Sequence, residues 1–284
     1  MREFRIVITP FCNYNCFFCH NEGAEECNDF LLRPNDYEFM CRVAKERLGW
    51  STATITGGEP LISPIFSVVC EKLKTLGISI TVVSNVSLLA RPQEQLKNVS
   101  QLNVSLHTMD PSVYQQITQV RYPLKSILDT IVATRVCLPK LVIHINCTVV
   151  KGINDSGGDL EALLRFGRRV GAEVKFIDLS SEDKTLVTNA ENIVRQLENL
   201  GFTVTSANDW QYFLEKSTTK TVVVKCPFNN RYLNTPARDI FVNSSGTMYT
   251  SYGSNFSINA LNDIKSRDED KLIQKIKVLL PEQG

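Results

Sequence analysis

No stretch of this chain is both long and apolar. The longest hydrophobic run, 141–150, is broken by His144 and Asn146 and is too short to span a bilayer. The first residues carry no apolar segment of signal-peptide length, because Pro10 and a cysteine-rich loop follow at once. The expectation is a cytoplasmic protein with no membrane partner. An excess of charge of either sign is also missing. The 31 Lys and Arg against 30 Asp and Glu leave a net charge of +1, which argues against a broad basic face for nucleic acid and leaves room only for a local basic pocket. A disulfide framework is lacking too: there are 9 cysteines, an odd count, and no secretion signal. No internal repeat and no low-complexity linker interrupts the chain.

What remains is an ordinary globular composition, 43% hydrophobic and 21% charged, over 284 residues. That length holds one large α/β domain or two small ones. β-rich runs at 4–9, 52–56, 79–84, 102–106, 141–149 and 173–179 alternate with helix-period runs at 35–47, 64–76, 92–98, 111–117, 124–136 and 159–170. Pro64, Pro92 and Pro111 stand near first helical turns, where a missing N–H costs nothing. Such alternation predicts parallel strands with right-handed crossovers. The fold expected is α/β, a partial, open (β/α)6 version of the TIM barrel, with its chemistry at the C-terminal strand ends. Beyond residue 180 the pattern loosens into a helix at 189–200, short strands at 202–205 and 221–225, a hairpin at 239–251 turning at Gly246, and a closing amphipathic helix at 267–280. The division expected is a core over 1–180 and a C-terminal extension over 181–284.

The cysteines are unevenly distributed. Cys41, Cys70, Cys137 and Cys147 sit in or beside helix and strand patterns and read as small buried hydrophobes. Cys12, Cys16 and Cys19 cluster on one loop directly after the first strand. Three thiolates so placed can hold three irons of a [4Fe–4S] cluster, which ordinarily takes four cysteines. The fourth iron would then be open to a small molecule. Zinc held by the triad and His20 is the alternative, but adjacent Cys19 and His20 would struggle to meet on one tetrahedral ion. Cys27 could close the cluster, yet Glu25 and Glu26 disfavour its thiolate.

Other strand ends carry polar or glycine-rich groups. Thr56-Gly57-Gly58-Glu59-Pro60 follows the second strand, where paired glycines let backbone approach a ligand closely. Ser84-Asn85 ends the third strand, and Ser105 and His107 end the fourth. Their side chains can bond ribose or carboxylate groups, although a turn or a buried histidine explains each as well. Asn146 and Lys151-Gly152-Ile153-Asn154-Asp155 close the fifth strand. Gly152 fits a turn, Asn154 or Asp155 a helix start, and Lys151 either a solvated turn or an anion contact.

The triad, with Phe18 before its last cysteine, resembles the signature of the radical S-adenosylmethionine (SAM) enzymes, and Gly57–Pro60 resembles their SAM-amine-binding segment. The resemblance implies that Cys12, Cys16 and Cys19 ligate the cluster. It also implies that Phe18, Gly57, Gly58, Glu59, Pro60, Ser84, Asn85, Ser105, His107 and Asn146 bind SAM. In that family SAM chelates the open iron, and its reductive cleavage gives methionine and a 5′-deoxyadenosyl radical that takes hydrogen from the substrate. From about Arg5 to Leu179 the chain is similar to the GTP-cyclising branch of molybdopterin biosynthesis.

It departs from that branch near the C-terminus. The auxiliary cluster's cysteine positions fall on Cys226, Asn229 and Ser251, and one thiolate cannot hold such a cluster. Basic residues of the branch are replaced by Phe11 and Ser63. These departures argue against GTP. Lys151 and Arg231 keep an anionic or nucleotide-like substrate in view, with Asn229 and Ser251 as polar contacts. The function expected is a single-cluster radical SAM enzyme acting on a small polar molecule, supplied by a flavodoxin- or ferredoxin-type electron donor. A peptide-modifying maturase and a non-catalytic Fe–S redox or regulatory protein are the alternatives.

Overall fold

The computed structural model of the protein describes residues 2–20, 30–226, 228–229, 239–250 and 256–280, so Cys27, Arg231 and Ser251 lie outside the described residues. Strands β1 (Phe4–Val7), β2 (Thr52–Thr56), β3 (Ser79–Ser84), β4 (Gln101–Ser105), β5 (Val142–Val149) and β6 (Glu173–Asp178) pair in parallel, each with the next. The crossovers carry α1 (Pro34–Leu48), α2 (Phe66–Thr75), α3 (Pro92–Gln95), α4 (Pro111–Thr118), α5 (Leu124–Cys137) and α6 (Gly157–Val170). This is the partial barrel the alternation predicts.

Burial alternates along the later strands. In β4, in β5 and in β6 as far as Phe176, every second residue is buried on the helix side, while those between open into the barrel. Leu102, Ile145 and Phe176 share one continuous apolar core with Ile127 and Ile131 of α5 and Leu160 and Leu163 of α6. Each such side chain contributes roughly 1.5–3 kcal/mol by leaving water. The other face is polar: Gln101, Asn103 and Ser105 on β4, His144, Asn146 and Thr148 on β5, Glu173 and Lys175 on β6. A parallel sheet covered on both faces by apolar groups would show no such alternation. This interior is built to hold something polar.

Helix ends follow local rules with two shifts. Proline opens α1, α3 and α4, and Asp110 caps α4 by accepting from the N–H groups of Ser112 and Val113. The second helix starts at Phe66 rather than at Pro64, because Pro60–Ile62 forms a short 3-10 turn of its own. The start of α6 is capped by Ser156, not by Asn154 or Asp155.

After residue 180 come α7 (Ala190–Asn199), β7 (Thr203–Ala207), β8 (Gln211–Lys216), β9 (Thr219–Val224), β10 (Ile240–Asn243), β11 (Thr247–Tyr249), β12 (Ser257–Asn259), α8 (Leu261–Ser266) and α9 (Glu269–Leu279). Strand β9 pairs parallel to β6 and β10 parallel to β1, so both ends of the sheet are extended. The β8–β9 hairpin is absent from the sequence reading. Its turn has Ser217 at φ 53, the left-handed conformation that glycine or asparagine usually announces. No helix among the described residues is long and apolar enough to cross a membrane.

The last helices are tied back to the first by a buried acid. Asp36 is 3% exposed and receives Lys265 at 2.5 Å and Arg267 at 2.9 Å. Burial opposes its ionisation, but Lys265, the Arg33 N–H and Arg267 together outweigh that and hold its carboxyl below the usual range. A lowered folded value means stability present above the ordinary aspartate pKa, about 3.9, and lost as pH falls through the folded one. Asp36→Asn should therefore lower stability at neutral pH by about 1–3 kcal/mol. It should also flatten the acid limb of the melting temperature against pH.

Candidate functional site

The cysteine loop leaves the end of β1 and is clamped from two sides. On one side lies the turn after β2. Gly58 N–H donates to the Thr9 carbonyl and Glu59 N–H to the Phe11 carbonyl, both at 2.8 Å. A Cβ on Gly57 would stand 2.3 Å from the Thr9 oxygen, and one on Gly58 would stand 2.2 Å from the Phe11 oxygen. The paired glycines thus admit the cysteine loop itself, while still lining the cavity beneath it. On the other side lies the end of α4, whose last carbonyls have no partner within the helix. Asn15 N–H donates to Thr118 and Phe17 N–H to Ile117, both at 3.1 Å, and the Tyr14 and Tyr114 hydroxyls meet at 2.6 Å. Nothing in the sequence reading assigned Tyr14, Tyr114 or Thr118 a role. The Pro111 signal located the helix but not what its far end holds.

Glu59 is the strut under this assembly. It is fully buried, and its carboxylate accepts from Ser84 Oγ at 2.8 Å, Asn85 N at 2.8 Å and Leu61 N at 3.0 Å. Burial pushes its pKa up against those three donors. Glu59 and Pro60 do not line the cavity. The structure thus places Glu59 between strand ends rather than before a ligand. Asn85 in turn reaches Asn13 Oδ1 at 3.0 Å and the Cys12 sulfur at 3.9 Å, while its Oδ1 accepts from Ser87. The turn that presents Asn85 contains Val86 at φ 56, a conformation β-branched residues avoid unless their surroundings impose it. Glu59→Gln should cost about 1–3 kcal/mol, because the new amide aims its own donors at the Asn85 N–H. Thermal melting of the metal-free protein checks this. Were Glu59 a ligand contact instead, SAM affinity would change and metal-free stability would not.

The three thiols face a cavity of about 480 Å³. Burial raises the Cys12 thiol. Burial, with Cys19 and Cys12 beside it, pushes Cys16 up to about 12. Tyr14 N–H already donates to the Cys12 sulfur at 3.3 Å. A site that crowds three thiols stabilises them as thiolates only when a cation is among them. A cluster asks for one thiolate per iron, which suits thiols spread along a loop.

Phe18, Gly57, Gly58, Ser84, Asn85, Ser105, His107 and Asn146 line the same cavity as the thiols. His107 is held neutral, its pKa lowered to about 4 by burial. Its Nδ1 accepts from Thr148 N–H at 3.1 Å, so the proton resides on Nε2, and its ring meets Phe18 edge-on at 5.1 Å. Asn154 bonds the His107 and Thr148 carbonyls and fixes that strand end. Asn146 Oδ1 is buried with no hydrogen-bond partner. An orphaned acceptor beside crowded thiols and a glycine cradle is what a bound polar cofactor would complete.

Lys151 is exposed and is not brought to the cavity. Asn229, expected as a polar substrate contact, is buried and does not line the cavity; its amide donates to the Leu179 carbonyl at 3.3 Å. Cys226 packs with Val7, Phe228, Phe241 and Tyr249, and its N–H donates to Asp178 at 2.6 Å. Cys41, Cys70 and Cys147 are buried as expected, while Cys137 is half-buried. Arg5, Lys175, Asp178 and Lys225, to which the sequence motifs assign no role, also line the cavity. The period-two alternation of Glu173-Val-Lys-Phe-Ile-Asp178 was the available signal for Lys175.

The profile of the radical SAM superfamily matches residues 6–167. The chain belongs to the radical SAM superfamily. A protein of Thermococcus kodakarensis named "Probable GTP 3′,8-cyclase" is 33% identical over 180 residues, 62% of this chain and 56% of that protein, so the match spans little more than half of that relative. One of the same name from Pyrobaculum aerophilum is 27% identical over 291 residues, 99% of this chain and 93% of that one. Among solved structures, Streptococcus suis SuiB bound to S-adenosylmethionine is similar at a TM-score of 0.71 and 17% identity, covering 97% of this chain and 67% of that one. Native anSMEcpe with bound AdoMet is similar at 0.61 and 12%, covering 99% and 84%. These structures share the radical SAM fold with it. Membership of this superfamily implies a [4Fe–4S] cluster and SAM.

Proposed function

We propose that this radical SAM enzyme takes a hydrogen atom from a small polar substrate, a nucleotide or nucleotide sugar, in a specialised biosynthetic pathway. The cluster and SAM, when bound, supply reductive cleavage of SAM to methionine and a 5′-deoxyadenosyl radical. The protein's own work is binding, orientation and exclusion of water. Cys12, Cys16 and Cys19 would each hold an iron. Gly57 and Gly58 leave their turn free of side chains where the SAM amino group would lie. Ser105 and Asn146 offer hydrogen bonds on the facing strands, and the neutral His107 offers Nε2–H. Ser84, Asn85 and Glu59 keep the loop in place.

The observation that carries this reading is the shared rim: three crowded thiols and a glycine cradle over one cavity of about 480 Å³, a size suited to a small molecule. The relatives' name points to a nucleotide. Phe11 and Ser63, standing where that branch has basic residues, point away from GTP itself. Electrons would come from a flavodoxin- or ferredoxin-type donor in the cytoplasm.

Anaerobically reconstituted protein given dithionite and SAM should release 5′-deoxyadenosine. Iron bound with no such release and no SAM binding by calorimetry would instead favour a non-catalytic Fe–S protein. A copurifying peptide that raises the release would favour the maturase reading.

A further inference from the structure

The cavity holds several charged groups besides the thiols, and most are already engaged. Lys225 lies 3.7 Å from Glu191 and over the Tyr212 ring. Arg5 lies over the Phe241 ring. Asp178 accepts from Cys226 N–H. Lys175 differs. It lies on the inward face of β6, lines the cavity, and makes no hydrogen bond or ion pair among the described residues. Glu173, two residues back on the same face, reaches His144 Nε2 at 4.0 Å instead. His144 is itself held neutral, and its Nδ1 faces Gln101 Nε2 at 3.1 Å. Burial disfavours the Lys175 ammonium, which Glu173 only partly offsets. Cations withdrawn even partly from water are ordinarily paired, and Lys175 is half-buried. This one faces open space, and in the β5–β6 register its Cα partner is Asn146, whose Oδ1 is orphaned.

We propose that Lys175 seats an oxyanion of the substrate, phosphate or carboxylate. The inference rests on the radical SAM reading for what the substrate meets next, but not for the binding itself. Position favours substrate over the carboxylate of SAM. Strand β6 stands at the opposite end of the parallel run from β1 and β2, which carry the cysteine loop and the glycine cradle. The anion contact expected at Lys151 on the outer rim thus moves to the barrel interior. An anionic group held there would leave the rest of a small substrate directed at the thiol rim, where hydrogen transfer would occur.

The test uses reconstituted protein saturated with SAM and titrated by calorimetry with sodium pyrophosphate and, separately, malonate. At least one should bind the wild type. Lys175→Met should weaken that binding about tenfold or more, and Lys175→Arg should largely retain it, because a charged hydrogen bond survives in the arginine. SAM affinity should be similar in all three. Without anion, Lys175→Met should melt at or above the wild type, since it removes a half-buried cation that has no ion pair among the described residues, at similar volume. Binding of neither anion, equal binding by wild type and Lys175→Met, or a loss of SAM affinity in Lys175→Met would overturn the proposal; the last would hand Lys175 to the SAM carboxylate. Should Lys175→Met fail to fold, Lys175→Gln replaces it in the comparison with Lys175→Arg. Release of 5′-deoxyadenosine by the wild type, measured on the same preparation, separates the two readings. Its absence alongside Lys175-dependent anion binding would sink the radical chemistry and leave the seat standing.

Discussion

Cys16→Ala is expected to lose bound iron on anaerobic reconstitution and to lower 5′-deoxyadenosine release by roughly a hundredfold or more. Loss of a supporting residue at a metal site typically costs about 10–100-fold, and loss of a ligand should cost more. The argument rests on what the thiols do without metal. Cys16 is pushed up to about 12 by burial and by Cys19 and Cys12 beside it, so at neutral pH it is a thiol with no charge to stabilise the loop. Iron binding must therefore expel protons, and loading should weaken as pH falls. In the variant two thiols remain, and neither can replace the missing corner. The loop itself should survive, because its clamps run through backbone groups of Asn15, Phe17, Gly58 and Glu59 rather than through the Cys16 side chain. The metal-free variant should accordingly melt within about 1 kcal/mol of the wild type. Iron content, the cluster's absorbance and that melting curve are the three readouts. Full iron retention in Cys16→Ala would remove the basis for the three-cysteine site.

How the sequence relates to the site differs from residue to residue. The barrel strands were legible because each is a short β-rich run bounded by a helix of clear period; β2 and β3 match their expected spans at both ends. The cavity side of β4 to β6 was legible only in part. Ser105 and His107 stood out as polar groups at a strand end, but Lys175 sits mid-strand, where a charged residue is easily read as solvent-facing. Only the pairing of β6 with β9 on its far side makes clear that β6 is interior and that its inward face is enclosed. Glu59 shows the converse. Its motif was visible, but a carboxylate next to a ligand-binding turn looks the same in sequence whether it faces the ligand or the strand behind. Three donors converging from residues 61, 84 and 85 decide the matter, and their convergence is a tertiary fact.

The same distinction applies to the glycine pair, whose second member gives the other large expected effect. Gly58→Ala should dislodge the cysteine loop, costing about 3 kcal/mol or more of local stability and most of the iron-binding capacity, since overpacking against unyielding neighbours reaches that range. The new Cβ would stand 2.2 Å from the Phe11 oxygen, 2.4 Å from its carbonyl carbon and 2.8 Å from the Cys12 nitrogen. All three are backbone atoms, so no side chain can swing aside; the strand-to-loop connection must move, and Cys12 moves with it. The Glu59 N–H bond to the Phe11 carbonyl would break in the same displacement, which loosens the strut beneath Asn85. Gly49→Ala is the control. Gly49 has φ 72 and nothing within 4 Å of an added Cβ, so that change should cost only left-handed strain, about 1–2 kcal/mol, and leave iron binding untouched. If Gly58→Ala bound iron and SAM as well as Gly49→Ala does, close backbone approach would not be what this position requires. The two glycines would then be no more than a turn ahead of α2.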